Sequence, residues 1–305
     1  MSTDHTVRMA DDPLPETKRR PLVTPMFLAM ALPPAVFLAW GLFVPMISVV
    51  VFGFWRTEDY TLIPDFTLEN YVTVLTDPSY LTFLWRSFAV ATMACAISMV
   101  ITWPAAYFIA KHGGRWKTIL LLAIAAPFFT GLILRLVAFQ ALLGPVGVMN
   151  MLFAEFNLPA LDFMMFNRTA TVMGLVYLYA PFMLVPIALS LNNFDFNLVE
   201  AAKVNGASPL RAFFEVTWPL NWMGTVVGIL IVFIPALAES VTPKFLGGPS
   251  GTSMGGTISH QFTATGTWSL GAALGVVLFS LSIAVVALLA RTVNLRRSGV
   301  SLLEE

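Results

Sequence analysis

Six apolar runs, each about long enough to cross a bilayer, leave this chain few choices of fold. A spanning helix needs roughly 20 apolar residues. Runs of that size lie at about 34–54, 83–109, 118–138, 169–191, 220–241 and 269–290. They do not alternate apolar with polar residues, which argues for helices over barrel strands. Composition agrees: 57% of the 305 residues are hydrophobic and 11% are charged, where soluble domains carry about a quarter charged. The expectation is an all-α membrane protein with six transmembrane helices, its membrane domain covering 23–291.

The positions of Lys and Arg give an orientation. With both termini cytoplasmic, the inner segments hold Arg8, Lys18, Arg19, Arg20, Lys111, Arg115, Lys117, Lys203, Arg211, Arg291, Arg296 and Arg297. The outer segments hold only Arg56, Arg168 and Lys244. That is the bias expected of a multi-pass protein with its basic loops inside. The polar stretch "MSTDHTVRMADDPLPETKRR" reads as a cytoplasmic arm, 1–22, rather than a secretory signal, because no apolar region follows its first residues. Residues 292–305 form a cytoplasmic tail. A single cysteine, Cys95, rules out an internal disulfide and reads as a small buried side chain.

One inner loop, about 193–219, interrupts the apolar pattern with "EAAKVNGASPLRAFFEVTWP". Asp195 or Asn197 can cap a first short helix with Leu198, Val199, Ala201 and Ala202 on a small apolar face. Gly206 permits the left-handed backbone that ends a helix. Ser208 can cap a second helix, with Pro209 at its first position. Glu200 and Arg211 can anchor the pair by charge. A flat helix–turn–helix of this kind across the mouth of a bundle has the shape of a docking element. The outer connections are also long. The first predicts a surface helix starting near Thr67. The second mixes turn residues with amphipathic pieces, and the third starts Gly-rich and ends polar. They suit docking or a lid, or serve as plain connectors.

Glu200-Ala201-Ala202, three residues, Gly206, nine residues and a Val-x-Trp-Pro ending resemble the signature loop of ABC importer permeases. The usual ending there is Ile-x-Leu-Pro, so Val216 and Trp218 depart from it. The segments "TLENYVTVLTDPSYLTFLWRSFAVA", "APFFTGLILRLVAFQALLG", "VMGLVYLYAPFMLVPIALSL" and "VFIPALAESVTPKFLGGP" are similar to spermidine/putrescine permease subunits. The resemblance implies a type I importer fold in the bacterial inner membrane. It also implies a separate ATPase dimer that uses ATP and Mg, a second homologous permease subunit and a periplasmic substrate-binding protein. In that family the loop seats in a cleft of the ATPase, so Glu200, Ala201, Ala202, Gly206 and Arg211 become the candidate coupling residues. It implies a polyamine cargo without fixing it; another small organic solute or an ion stays open.

The chain carries no nucleotide-binding loop of its own. Lys117-Thr118 follows Trp116 where a phosphate loop needs Gly, and the Gly-rich "GGPSGTSMGG" has no Lys. His5, His112 and His260 are scattered, so no metal site is implied. No nucleophile motif stands out. The expectation is a non-enzyme with no cofactor, surrounded by lipid and without nucleic acid. Two other classes are weighed beside a permease: a membrane scaffold that docks subunits without transport, and an ion-coupled transporter, which would leave the docking loop unexplained.

Polar residues in the spans are the pathway candidates, since buried charge in a bilayer is costly. Glu239, near the outer end of span five, can attract a cation or pair with Lys244 or Arg135. Arg135 and Arg86 can snorkel to headgroups. Tyr177 and Tyr179 can meet an amine through ring faces and hydroxyls, or pack internally. Pro104, Pro127, Pro181, Pro186 and Pro235 predict bends.

Overall fold

The computed structural model describes residues 25–160 and 164–301. The predicted arm, with His5, Arg8, Lys18, Arg19 and Arg20, lies outside the described residues, as do the last four positions. The chain divides into two units, Met1–Ser48 and Val49–Glu305. Helix α1, Pro25–Gly53, accounts for the described part of the first unit and continues into the second. It holds Pro33, Pro34 and Pro45 within its length.

In the second unit a two-stranded hairpin comes first, β1 Arg56–Glu58 against β2 Thr61–Ile63. The sequence pattern did not predict it. Its turn places Asp59 and Tyr60 at φ 45° and 61°, the mirror-image geometry that suits hairpins but usually calls for Asn or Gly. Helix α2, Glu69–Thr76, follows, and the Thr67 hydroxyl accepts from the Glu69 N–H at 3.1 Å. The surface helix predicted near Thr67 is therefore present.

Helices α3 (Pro78–His112), α7 (Arg168–Asn192) and α11 (Trp222–Ala238) form the centre. Their shared core contains Ala91, Ala94, Met183, Ile187, Val232 and Ala236. Helix α14, Trp268–Ser301, adds Ala273 and Leu274. It carries helix through most of the predicted C-terminal tail. Among the described residues, five helices are long and apolar enough to cross a membrane, and six if one bent pair is counted as a span. The all-α fold with its spans is thus as expected. That bent pair is Pro209–Leu220 and Trp222–Ala238, at 75°.

The third run departs from a single helix over 118–138. Helix α4, Lys117–Ala125, passes into a 3-10 turn at Ala126–Phe129, and α5 begins afresh at Leu132 and ends at Leu143. Pro127 has no N–H to continue an α-helix, and Thr130 and Gly131 are extended. The apolar stretch of spanning length here is Leu132–Glu155, joining α5 to α6, Val148–Glu155. The Asn150 amide holds their turn by donating to the Gly144 carbonyl at 3.0 Å.

Lipid is as apolar as leucine, so helices in a membrane associate through close packing rather than water exclusion. Small residues supply it. A Cβ on Gly224 would sit 2.5 Å from Ser190 Cβ and 2.8 Å from the Pro186 carbonyl oxygen. A Cβ on Gly228 would sit 3.0 Å from Met183 Cγ. Cys95 is buried among these helices as a small side chain. Overpacking such a contact costs about 1–3 kcal/mol. Gly224→Val is expected to lower the thermal midpoint of the purified protein in detergent, with Gly224→Ala between it and wild type. Equal midpoints for all three would show that α7 and α11 part without cost.

Candidate functional site

The loop after α7 folds as two short capped helices. Helix α8, Asn197–Val204, starts where the Asp195 carboxylate accepts from the Asn197 N–H at 2.9 Å. It ends in a complete pair of reversed bonds: the Ala207 N–H donates to the Ala202 carbonyl at 3.0 Å and the Gly206 N–H to the Lys203 carbonyl at 2.9 Å. That closure needs a left-handed residue, and Gly206 has φ 86°. Helix α9, Pro209–Ala212, begins with the Ser208 hydroxyl accepting from the Arg211 N–H at 3.2 Å. The closure at Gly206 and the Ser208 cap sit where local chemistry predicts them; the N-cap position of α8 is Phe196, not Asp195 or Asn197, and Asp195 closes the turn just before it.

Charge fastens only one of the two helices to the bundle. The Glu200 carboxylate meets Lys111 Nζ of α3 and Lys203 Nζ, each at 3.2 Å. Lys111 also lies over the Phe196 ring. Arg211, in contrast, turns back on Glu215 four residues on, with Nε 2.9 Å and 3.0 Å from its two oxygens. It does not tie the loop to α3. Ala201 is exposed and Ala202 half-buried, while Val199 is the residue of α8 that enters the core. The sequence marks Lys111 only as a basic loop residue; nothing in the one-dimensional pattern pairs it with Glu200.

The second helix runs into a π turn, Phe213–Thr217, and then α10, Trp218–Leu220. Trp218 packs among Trp103 of α3, Phe213, Phe214 and Trp222, with ring centroids 5.4–6.5 Å away. Trp103 meets Phe213 edge-on at 5.2 Å. The unusual Trp in the loop's ending therefore fills an aromatic cluster against α3.

At the opposite end of α11 the chain builds a polar knot. Glu239 follows the last helical residue, and its Oε1 accepts from the N–H groups of Val241 at 2.9 Å and Thr242 at 3.3 Å. These are the first residues of α12, Val241–Leu246. Oε2 accepts from the Tyr179 hydroxyl of α7 at 2.7 Å. Arg135 of α5 lies near enough for its charge to act on Tyr179. The Glu239 backbone carbonyl accepts from Ser253 Oγ at 3.0 Å, and Ser253 caps α13, Met254–His260. Arg86, Arg168 and Glu239 line one small cavity here. Tyr177 is not part of the knot. It is partly exposed on α7 and packs its ring on Phe139 at 5.8 Å. Of the four pathway candidates, then, Glu239, Tyr179 and Arg135 gather at one end of the bundle and Tyr177 stands apart. Among the described residues no cluster of three metal-ligating side chains occurs.

Comparison with known proteins decides the family. The spermidine/putrescine transport system permease protein PotB of Escherichia coli (strain K12) is 32% identical over 242 residues, covering 77% of this chain and 86% of that protein. The chain belongs to the spermidine/putrescine permease family. PotB of Haemophilus influenzae is 29% identical over 248 residues, covering 79% of this permease and 86% of that one. The inner membrane ABC transporter permease protein YdcU of E. coli is 26% identical over 244 residues, covering 74% and 76%. No family profile matches the chain. A bacterial ABC transporter involved in alginate import has a chain of the same fold, with a TM-score of 0.71 at 15% identity over 88% of this permease and 94% of that chain. This permease is a multi-pass membrane subunit of an ABC importer.

Hydrogen bonds from Lys111 first, and Lys203 second, hold the Glu200 carboxyl below its ordinary range. A lowered acid contributes its link above the ordinary carboxylate pKa and loses it as pH falls through the lowered value. Amides of α8, corrected for intrinsic exchange, are therefore expected to stay protected at neutral pH and to lose protection below about pH 4. Glu200→Gln should show the faster exchange at neutral pH and converge with the unsubstituted protein in acid, where Glu200 is itself protonated. Protection identical in the two proteins would mean the ion pairs do not hold α8.

Proposed function

We propose that this permease forms half of the pathway by which an ABC importer carries a polyamine inward across the bacterial inner membrane. ATP hydrolysis, with its Mg, belongs to a separate ATPase dimer, and the chain itself is no enzyme and holds no cofactor. A second homologous permease completes the pathway. A periplasmic binding protein delivers the solute, as the alginate importer was crystallised in complex with its own pentasaccharide-bound periplasmic protein. The cargo reading rests on the names of the PotB relatives.

The observation that carries the coupling reading is the loop from Glu200 to Pro219. It is preformed by the Gly206 closure and the Ser208 cap, presents exposed Ala201, Val204 and Leu210, and is tied to α3 through Lys111. The Glu200–Lys111 pair links the loop's first helix directly to α3. The test is uptake of labelled spermidine and putrescine by proteoliposomes holding the permease with its ATPase, partner permease and binding protein, with and without ATP. ATP-dependent uptake is expected. Proline cannot adopt the Gly206 backbone, and any L-residue there costs about 1–2 kcal/mol. Gly206→Pro should therefore leave ATPase activity that no longer drives uptake. Coupled uptake at the wild-type ratio would refute the loop's role, and no uptake of either polyamine beside stimulated ATPase would refute the cargo.

Glu239 is offered two roles by chemistry, and its bonds favour one. Its carboxylate already serves Tyr179 and two backbone N–H groups, and arginines line the same cavity. A hydrogen bond to a charged group contributes about 1.5–3 kcal/mol. Glu239→Gln is expected to lower the thermal midpoint and leave the KM for spermidine unchanged. A raised KM at an unchanged midpoint would instead put Glu239 in contact with the cation.

A further inference from the structure

The corner between the docking loop and α11 is held by one side chain. Asn221 sits at the 75° bend and is 2% exposed. Its Nδ2 donates to the Thr217 carbonyl at 2.8 Å, and its Oδ1 accepts from Ser190 Oγ of α7 at 2.9 Å. Its own N–H donates to the Thr217 and Trp218 carbonyls, and its carbonyl accepts from Thr225 Oγ1 at 3.2 Å. Every polar group of Asn221 thus has a partner. That matters because an unpaired one away from water costs several kcal/mol.

The bond to Ser190 joins two points of the chain 31 residues apart. Everything between them is the last turn of α7, the loop and α10. The loop is therefore a closed staple whose two feet are fastened to each other. Just past the feet, Gly224 brings the backbone of α11 against Ser190 and Pro186, and Gly228 brings it against Met183. Helices α7 and α11 are in backbone contact where the staple enters them. A bend without a pin is a place where motion dissipates: residues 209–220 can swing about position 221 while α11 stays still. With the pin, a displacement of the loop moves both helices.

We propose that the Ser190–Asn221 bond is the pin that makes α7 and α11 respond to the docking loop as one body, with Asn221 as a positioning residue for transport. This rests on the coupling role proposed for the loop. The side-chain requirement is narrow. One group must donate to Thr217 and accept from Ser190 at the same short reach, which a carboxylate cannot do and an alanine cannot do at all.

The test uses the complete importer in nanodiscs and proteoliposomes, with Ser190→Ala, Asn221→Ala, Asn221→Asp and the Ser190→Ala/Asn221→Ala double variant. Polyamine taken up per ATP hydrolysed is one readout. The other is the distance distribution between spin labels at Asn197 at the start of α8 and Leu189 on α7, both exposed. Interhelical hydrogen bonds in membranes shift equilibria by roughly threefold on average. A fall of that order in the uptake ratio is expected for Ser190→Ala, with a broadened label distance. The double variant should match Asn221→Ala, since the two share one bond, and Asn221→Asp, which sets a buried acceptor against the Thr217 carbonyl, should fall no higher than Asn221→Ala. Wild-type ratios and equally narrow distances in Ser190→Ala and Asn221→Ala would overturn the pin. If the wild-type complex carries no polyamine, the cargo reading fails while the label distances still judge the pin: broadening supports it, and unchanged width rejects it.

Discussion

At both ends of α11 the interrupted helix is answered by a side chain that takes up freed backbone groups, and the corner and the outer knot depend on that supply. Away from water, a carbonyl or N–H left without a partner is costly, so a helix can bend only where its sequence offers a substitute. Asn221 does so between α10 and α11, and Glu239 does so between α11 and α12. Ser253 and Asn150 repeat the device at the outer connections. The bends are consequently fixed in place and angle. A chain of straight helices could have made a bundle, but it could not have brought a loop, a corner and an outer knot onto the same two helices.

Both ends of α11 are fastened to α7, at Ser190 by the corner and at Tyr179 by the knot. Between these points Gly224 and Gly228 let the backbones approach, and Met183, Ile187 and Val232 fill the core beside them. Hydrogen bonds set the alignment and close packing fills the interval. The loop is tied to α3 as well, through Lys111 and through the rings around Trp103. Three helices thus share their contacts with a segment of about thirty residues.

The spans and the loop were legible in the sequence because each rests on a short-range rule. Twenty apolar residues imply a crossing, a left-handed glycine closes a helix, and Ser-Pro opens one. The third span reads as continuous because apolar content says nothing of backbone path: Pro127 signals a bend, but Thr130 and Gly131, which complete the break, are unremarkable in a run of hydrophobes. The hairpin escaped because its turn uses Asp59 and Tyr60 where glycine would have announced it. The charge roles of Glu200 and Arg211 looked equivalent on paper. Only the path of α3 separates them, placing a lysine within reach of one and leaving the other to its neighbour Glu215. Asn221, a polar residue beside an apolar run, carried a signal that amphipathic counting passes over.

The link from Lys111 to Glu200 has a further consequence because both side chains face water. Ion pairs at such a surface weaken as dissolved ions gather around them, over a distance of about 10 Å at 0.1 M ionic strength. The corner at Asn221 is buried and out of reach of that screening. One end of the staple's fastening is therefore tuned by the salt content of the surrounding solution, and the other is indifferent to it.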